Sequence, residues 1–325
     1  MKLSILKCHG SGNDFILIDE TLEANSGIPD EKRSDLTRTV CRRDERDGSI
    51  GADGLLFYQF SETADCKMRM FNPDGGEAEM CGNGLRCVGR YCTERLMKRK
   101  VTVETMKAIL AVKRGKPIHK GIETFEAEIG PVSMRTNSLP MSVDADCFQD
   151  GIIEELSPGL GFTALSVPNP HIVTFVDDID ELQVEKCGAR ANNSPLFPDG
   201  VNVSFVQSIG KSRIFVVTYE RGVGVTYSCG TAMSASAYVS LVQGLSEAGK
   251  PISVYSRGGM VECDVNPDSG GNIILRGNAT FVFEAEVEVE EDYKSIVRQF
   301  KGEIRSDEIS AYGDFQDYAK SMIEK

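Results

Sequence analysis

One arrangement occurs twice in the chain and constrains its fold more than any other feature. In FNPDGGEAEMCGNGLRCVGRY (Phe71–Tyr91), Cys81 stands between a turn-rich stretch and a segment of helical periodicity. In YERGVGVTYSCGTAMSASAYV (Tyr219–Val239), Cys229 stands in the same setting. Short aliphatic runs bounded by Gly, Asp, Asn or Pro flank both, and such runs read as strands. They are Leu3–Lys7, Phe15–Asp19, Leu55–Phe60 and Lys67–Phe71 before Cys81, then Val101–Glu104 and Ile109–Lys113 after it. Beyond a break at Arg114–Pro117 they resume as Glu123–Ile129, Ile172–Asp177, Val201–Val206, Arg213–Tyr219, Ile252–Tyr255, Met260–Val265 and Ile273–Leu275. Helical pattern is scarcer: Asp35–Asp44, Gly84–Met97 with Leu85, Val88, Cys92 and Leu96 on one face, and the Ala- and Ser-rich Thr231–Val242. The charged tail, Glu291–Lys325, reads as helix interrupted near Gly313. The outline predicts an α/β (α+β) fold of two similar halves, each with a helix wrapped by sheet.

Composition narrows the function. A chain of 325 residues, 41% of them hydrophobic, can fill one large domain or two medium ones. Its formal net charge of −13 leaves no basic surplus to neutralise phosphates, which argues against nucleic acid or an anionic membrane as partner. No apolar run approaches the roughly 18 to 20 residues of a membrane span. The start, MKLSILKCHGSGND, turns polar after one short apolar patch, unlike a signal peptide, so a cytoplasmic protein is expected. Ten cysteines at irregular spacing then read as reduced thiols rather than a disulfide framework. Cys81, Cys87 and Cys92 do not have a usual zinc spacing, and only His9, His119 and His171 could add imidazole ligands, so no metal centre is expected.

A thiol works as acid or base only when its pKa is brought toward working pH. The unpaired N–H groups and the dipole of a helix start favour the thiolate. Cys81 precedes Gly82-Asn83-Gly84, and Cys229 precedes Gly230-Thr231-Ala232. Glycine there lets a ligand approach the backbone, and the same N–H groups can hold a carboxylate. Two such sites would suit proton removal from an amino-acid Cα, with one thiol taking the proton and the other returning one. Core packing is the competing reading of each cysteine, and periodicity alone leaves the choice open.

HGSGNDF (His9–Phe15), IGADGLL (Ile50–Leu56), FNPDGGEAEMCGNGLRC (Phe71–Cys87), VPNPHIV (Val167–Val173), PDGVNVSFV (Pro198–Val206) and YERGVGVTYSCGT (Tyr219–Thr231) together resemble diaminopimelate epimerase, in the family's order, over about residues 1 to 285. The resemblance implies a two-base reaction on a small amino-acid substrate without pyridoxal phosphate, metal or other cofactor, converting LL-2,6-diaminopimelate to the meso form for lysine and peptidoglycan precursors. It implies two pseudo-symmetric halves, each a curved, mainly antiparallel sheet around a central helix, with the active site in the cleft between them, and a homodimer. The expected division is residues 1–118 with 275–325, and residues 119–274. Cys81 and Cys229 match the catalytic pair. His171 matches the supporting histidine beside it, and Glu220 an acid facing the distal ammonium that also supports catalysis. Asn13 matches the asparagine near the reacting centre. Gly82, Asn83, Gly230 and Thr231 match the donors to the reacting carboxylate. Asn72, Asn169, Asn202 and Arg221 match the distal-carboxylate group, for which a planar guanidinium is suited.

The chain departs from the common pattern at Val225, where many members have Glu, at Ala232, where many have Gly, and at Gly54, where some place Gln. Two other readings stand beside the epimerase: a racemase of another amino acid on the same fold, and a thiol–disulfide redox protein using Cys81 and Cys229. Against the latter, no C-x-x-C motif is present.

Overall fold

A computed structural model describes residues 1–44, 50–266 and 271–324. Its helices in chain order are α1 (Arg33–Cys41), α2 (Gly82–Arg95), α3 (Glu181–Asn192), α4 (Gly230–Val242) and α5 (Ser306–Ile323). The chain divides into two compact units, Met1–Ala127 with Gly277–Phe315, and Glu128–Arg276 with Gln316–Lys325.

In the first unit, Lys2–Gly10 and Asn13–Asp19 form a hairpin. Ser11 (φ 54°) and Gly12 (φ 77°) turn it, the double positive φ whose twist matches the flanking strands. Gly54–Gln59 lies parallel to Asn13–Asp19, Cys66–Phe71 antiparallel to Gly54–Gln59, Lys100–Glu104 parallel to Cys66–Phe71, and Ile109–Arg114 antiparallel to Lys100–Glu104. On the other side of Lys2–Gly10, Thr280–Val289 and then Ile296–Ile304 add antiparallel strands. α2 packs against six of these strands, so the sheet curves around it. Strand alternation divides the core. Ile5, Ile16, Ile18, Leu55, Phe57 and Val287 join Leu36 and Val40 of α1 on one face, each buried at a gain of about 1.5–3 kcal/mol. α2 starts close to the sheet because residue 84 lacks a side chain: a Cβ on Gly84 would lie 2.8 Å from Leu56 Cδ2.

The second unit repeats this order. Gly161–Ser166 and Pro170–Val176 form a hairpin, Asn202–Gly210 lies parallel to Pro170–Val176, and Arg213–Glu220 runs antiparallel to Asn202–Gly210. Ile252–Ser256 then lies parallel to Arg213–Glu220, and Gly259–Val265 antiparallel to Ile252–Ser256. α3 follows the second strand as α1 does, and α4 follows the fourth as α2 does. α4 is buried nearly all round, as a helix enclosed by sheet must be. The α/β (α+β) fold of two similar halves, each a mostly antiparallel sheet around a central helix, is thus present.

Several elements differ from the sequence reading. α3, capped by the Asp180 side chain on Leu182 N, and the strands Gly161–Ser166 and Thr280–Val289 were not anticipated. The tail begins as a strand, Ile296–Ile304, before α5. α5 runs unbroken through Gly313, because a helical glycine costs only about 1 kcal/mol and Tyr312, Phe315 and Ala319 around it are buried. Lys325, the last residue of the expected tail, lies outside the described residues.

Candidate active site

The first half-site is built where the opening hairpin meets the start of α2. Cys81 is the N-cap of α2, with extended backbone (φ −145°, ψ 112°), and its sulfur accepts from Gly84 N at 3.5 Å. Gly82 and Asn83 therefore occupy the first turn, whose N–H groups have no intrahelical acceptor. Asn13, first residue of its strand, brings Oδ1 to 3.9 Å from Cys81 Sγ and to 3.3 Å from Asn83 Nδ2. Its other amide atom donates to Asp53 Oδ2 at 3.0 Å. Behind Asn83 lies Arg86, a fully buried side chain whose Nη2 donates to Asn83 Oδ1 at 2.8 Å. Asn72 lies in a tight turn, where its N–H donates to Gly76 O and its carbonyl accepts from Gly75 N.

The second half-site has the same local design. Cys229 is the N-cap of α4, again extended (φ −122°, ψ 115°), followed by Gly230 and Thr231 in the first turn. Its sulfur is 3.4 Å from Thr231 Oγ1. Glu220 closes the strand Arg213–Glu220, accepts from Thr226 Oγ1 at 2.5 Å, and acts on Cys229 through charge and a hydrogen bond. Glu220 therefore stands beside the Cys229 thiol. Asn202 is paired with His171 across the parallel strands; its Oδ1 accepts from Arg221 N at 3.0 Å and its Nδ2 donates to Pro170 O at 3.0 Å. Asn169 Oδ1 is 2.9 Å from His171 Nε2, and Arg221 Nη1 donates to Asp199 O at 2.9 Å. Asn169, His171, Asn202 and Arg221 are therefore neighbours across adjacent strands.

Burial pushes the Cys229 thiol well above its ordinary value, and the Glu220 carboxylate pushes it further. The Thr231 hydroxyl and the Ala232 N–H pull the other way, as a helix start should, but the desolvation of a thiolate outweighs them. The balance favours the thiol over the thiolate at Cys229. Burial, with Arg221 next, holds His171 down at about 3, so its imidazole is neutral at physiological pH. A neutral ring can fix the Asn169 side chain but does not serve as a proton donor there.

The departures from the common pattern have structural settings. A Cβ at Gly54 would lie 2.9 Å from Met70 Cε and 3.0 Å from Phe71 O, so no longer side chain fits without rearrangement. Val225 pairs with Tyr219 in the short strand Gly224–Thr226 that leads toward Cys229. Ala232 is fully buried in the first turn of α4. Arg86, Asp53 and Thr226 contact the candidate residues and were not among those read from the sequence.

The comparisons with known proteins meet at this point. The family model for diaminopimelate epimerase matches residues 5–133 and 163–282, which include every residue of both half-sites. The chain belongs to the diaminopimelate epimerase family. It is 44% identical to a diaminopimelate epimerase of Clostridium acetobutylicum over 325 aligned residues, covering 98% of this chain and 96% of that one. It is 43% identical to that of Listeria monocytogenes over 293 residues, 88% of each chain. Among solved structures, a Bacillus anthracis protein of the PhzF phenazine-biosynthesis family superposes with a TM-score of 0.63 at 16% identity, covering 89% of this chain and all of that one. A probable proline racemase of Agrobacterium radiobacter gives 0.60 at 16% identity, with 89% and 93% covered. These two share the fold. Membership of the family makes the chain an isomerase.

Proposed function

We propose that this chain converts LL-2,6-diaminopimelate to meso-diaminopimelate, for lysine and peptidoglycan precursors, with Cys81 and Cys229 as its acid–base pair. The observation that carries the reading is that each cysteine caps the central helix of its unit, in a chain of this family. The two caps supply the same chemistry, a thiol beside backbone donors suited to a carboxylate.

The α-hydrogen of an amino acid is a very weak acid, so its removal requires a placed base and a place for the charge. Cys81, only partly buried, takes the proton as thiolate. The electron pair moves onto the substrate carboxylate, where the first-turn N–H groups at Gly82, Asn83, Gly230 and Thr231 stabilise it. Cys229, held as a thiol by burial and Glu220, returns a proton to the opposite face and inverts the centre. Afterwards the pair carries the reversed protonation, and exchange with solvent resets it. Asn72, Asn169, Asn202 and the Arg221 guanidinium bind the distal carboxylate, while His171 holds Asn169 in orientation. The reading needs no group beyond the chain's own thiols, and it includes a cytoplasmic homodimer. Ten free cysteines fit a reducing compartment, and among the described residues no helix is long and apolar enough to cross a membrane.

The filled space around Gly54 and the presence of Val225 favour a second reading, a racemase of another amino acid. A panel of L-amino acids in deuterated buffer, with no added cofactor, separates the two. Deuterium uptake at Cα is expected for LL-diaminopimelate and not for monoamino acids, and Arg221→Ala is expected to cripple it. Preference for a monoamino acid, or an unaffected Arg221→Ala enzyme, would overturn the diaminopimelate assignment.

A further inference from the structure

Arg86 is a fully buried guanidinium one turn into α2, and it belongs to no group assigned above. Its Nε donates to Asn278 O at 3.0 Å, Nη1 to Gly82 O at 3.3 Å, and Nη2 to Asn83 Oδ1 at 2.8 Å and Ser11 Oγ at 3.3 Å. Residue 10 accommodates it by having no side chain: a Cβ on Gly10 would stand 2.8 Å from Arg86 Nη2. One buried cation therefore ties together the hairpin turn, the strand end at Asn278 and the first turn of the helix that carries Cys81.

The donor inventory gives this arrangement a direction. Guanidinium can only donate, so the atom of Asn83 facing it is Oδ1, and Nδ2 must face Asn13. At the far end the Asp53 carboxylate can only accept, so Asn13 turns Nδ2 toward it, at 3.0 Å, and Oδ1 toward Asn83 and Cys81. A donor-only group and an acceptor-only group thus lock both amides, and the atom left facing the Cys81 sulfur is an oxygen, which accepts from the S–H of Cys81 once that residue has taken up a proton. Without Arg86 the Asn83 amide can rotate, and the lock on Asn13 is lost from one side.

We propose that Arg86 is a positioning residue: it sets the polarity of the Asn83–Asn13 relay and the placement of the α2 first turn, and through them the orientation of the Cys81 thiol. This rests on the reading of Cys81 as an acid–base group. The distal end of the substrate is held by other residues, so the relay bears on kcat more than on KM.

The test uses the full chain with Arg86→Met, Arg86→Lys, Asn83→Asp and Cys81→Ala. Kinetics with LL-diaminopimelate are measured beside the iodoacetamide alkylation rate of Cys81 relative to Cys229, read by peptide mass. Arg86→Met is expected to lose about 100-fold in kcat, the scale of one misplaced stabilising donor, with KM within about threefold. The alkylation ratio is expected to change by at least about threefold, and Arg86→Lys, still donor-only, to recover about tenfold of the lost kcat. Asn83→Asp guards against a folding defect, because it gives Arg86 a charged partner while a carboxylate cannot donate to Asn13; a kcat loss of about 100-fold is expected there too. Unchanged kcat and alkylation ratio in whichever of the Met and Asp variants is folded, or a change confined to KM, overturns the proposal. If Cys81→Ala is inactive while those variants behave as wild type, only the role of Arg86 fails. Activity in Cys81→Ala overturns the acid–base reading itself, and the alkylation ratio still reports on the relay.

Discussion

Replacing Glu308 by Gln isolates the tie between the tail and α2. Arg90, on α2, is buried to 6% exposure; its Nη1 and Nη2 reach Glu308 at 2.5 and 2.8 Å, and its guanidinium lies 3.9 Å from the Phe281 ring centroid. Glu308 Oε2 also accepts from Phe281 N at 3.0 Å. Removing one partner of a buried pair costs about 3–5 kcal/mol, because the remaining charge is stranded. Two features reduce that figure. Glu94 stays on Arg90 Nε at 2.9 Å, and the Glu308 side chain is 21% exposed. The loss is then about 2–3 kcal/mol, which for a folding unit of this size lowers Tm by about 5–10 °C. Thermal unfolding followed by circular dichroism measures it, with Glu284→Gln as control. Glu284 pairs with Arg305 at 2.8 Å but is 53% exposed, so its loss costs about 0–1 kcal/mol. A Glu308→Gln protein that melts no lower than the control would refute the claim that the tail is anchored through Arg90.

Three other outcomes follow from the same geometry. A Cβ on Gly89 would lie 2.3 Å from Val112 Cγ1, so Gly89→Ala is expected to destabilise despite better helix propensity, by about 1–2 kcal/mol in denaturant titration, with Val112→Ala restoring part of it. Cys229 is expected to alkylate slowly near neutral pH and faster as pH rises; Glu220→Gln removes a charge that raises its pKa and should accelerate the reaction at fixed pH. His9, held at about 4 mainly by burial, and His171, held at about 3, bind protons in the unfolded chain below about pH 6.5 but not in the folded one. Stability should therefore rise with pH between about 4 and 6.5 and level off above, and His9→Gln should flatten the Tm profile across that window.

Much of this was legible in the residues. Aliphatic runs bounded by turn residues located most strands, and the two glycine-flanked cysteines marked both helix starts. α3 was missed although Val184, Cys187, Gly188 and Ala191 form a buried face at helical spacing, because two of the four are small and the face is weak. The tail strand Ile296–Ile304 was hidden by its charge, which an outer strand can carry toward solvent. The Cys229 environment could not be read locally. A helix start favours a thiolate, but the opposing desolvation arises only once the chain has folded around the residue. Arg86 was out of reach for a related reason, since its partners Ser11 and Asn278 are distant in sequence.

The central claim is that two thiols serve one substrate carbon. Solvent-deuterium incorporation at Cα of LL-diaminopimelate, followed by mass spectrometry for the wild type, Cys81→Ala and Cys229→Ala, tests it most directly. The account predicts one deuterium per inversion in the wild type and no epimerisation in either variant. Full turnover with either cysteine removed would contradict it.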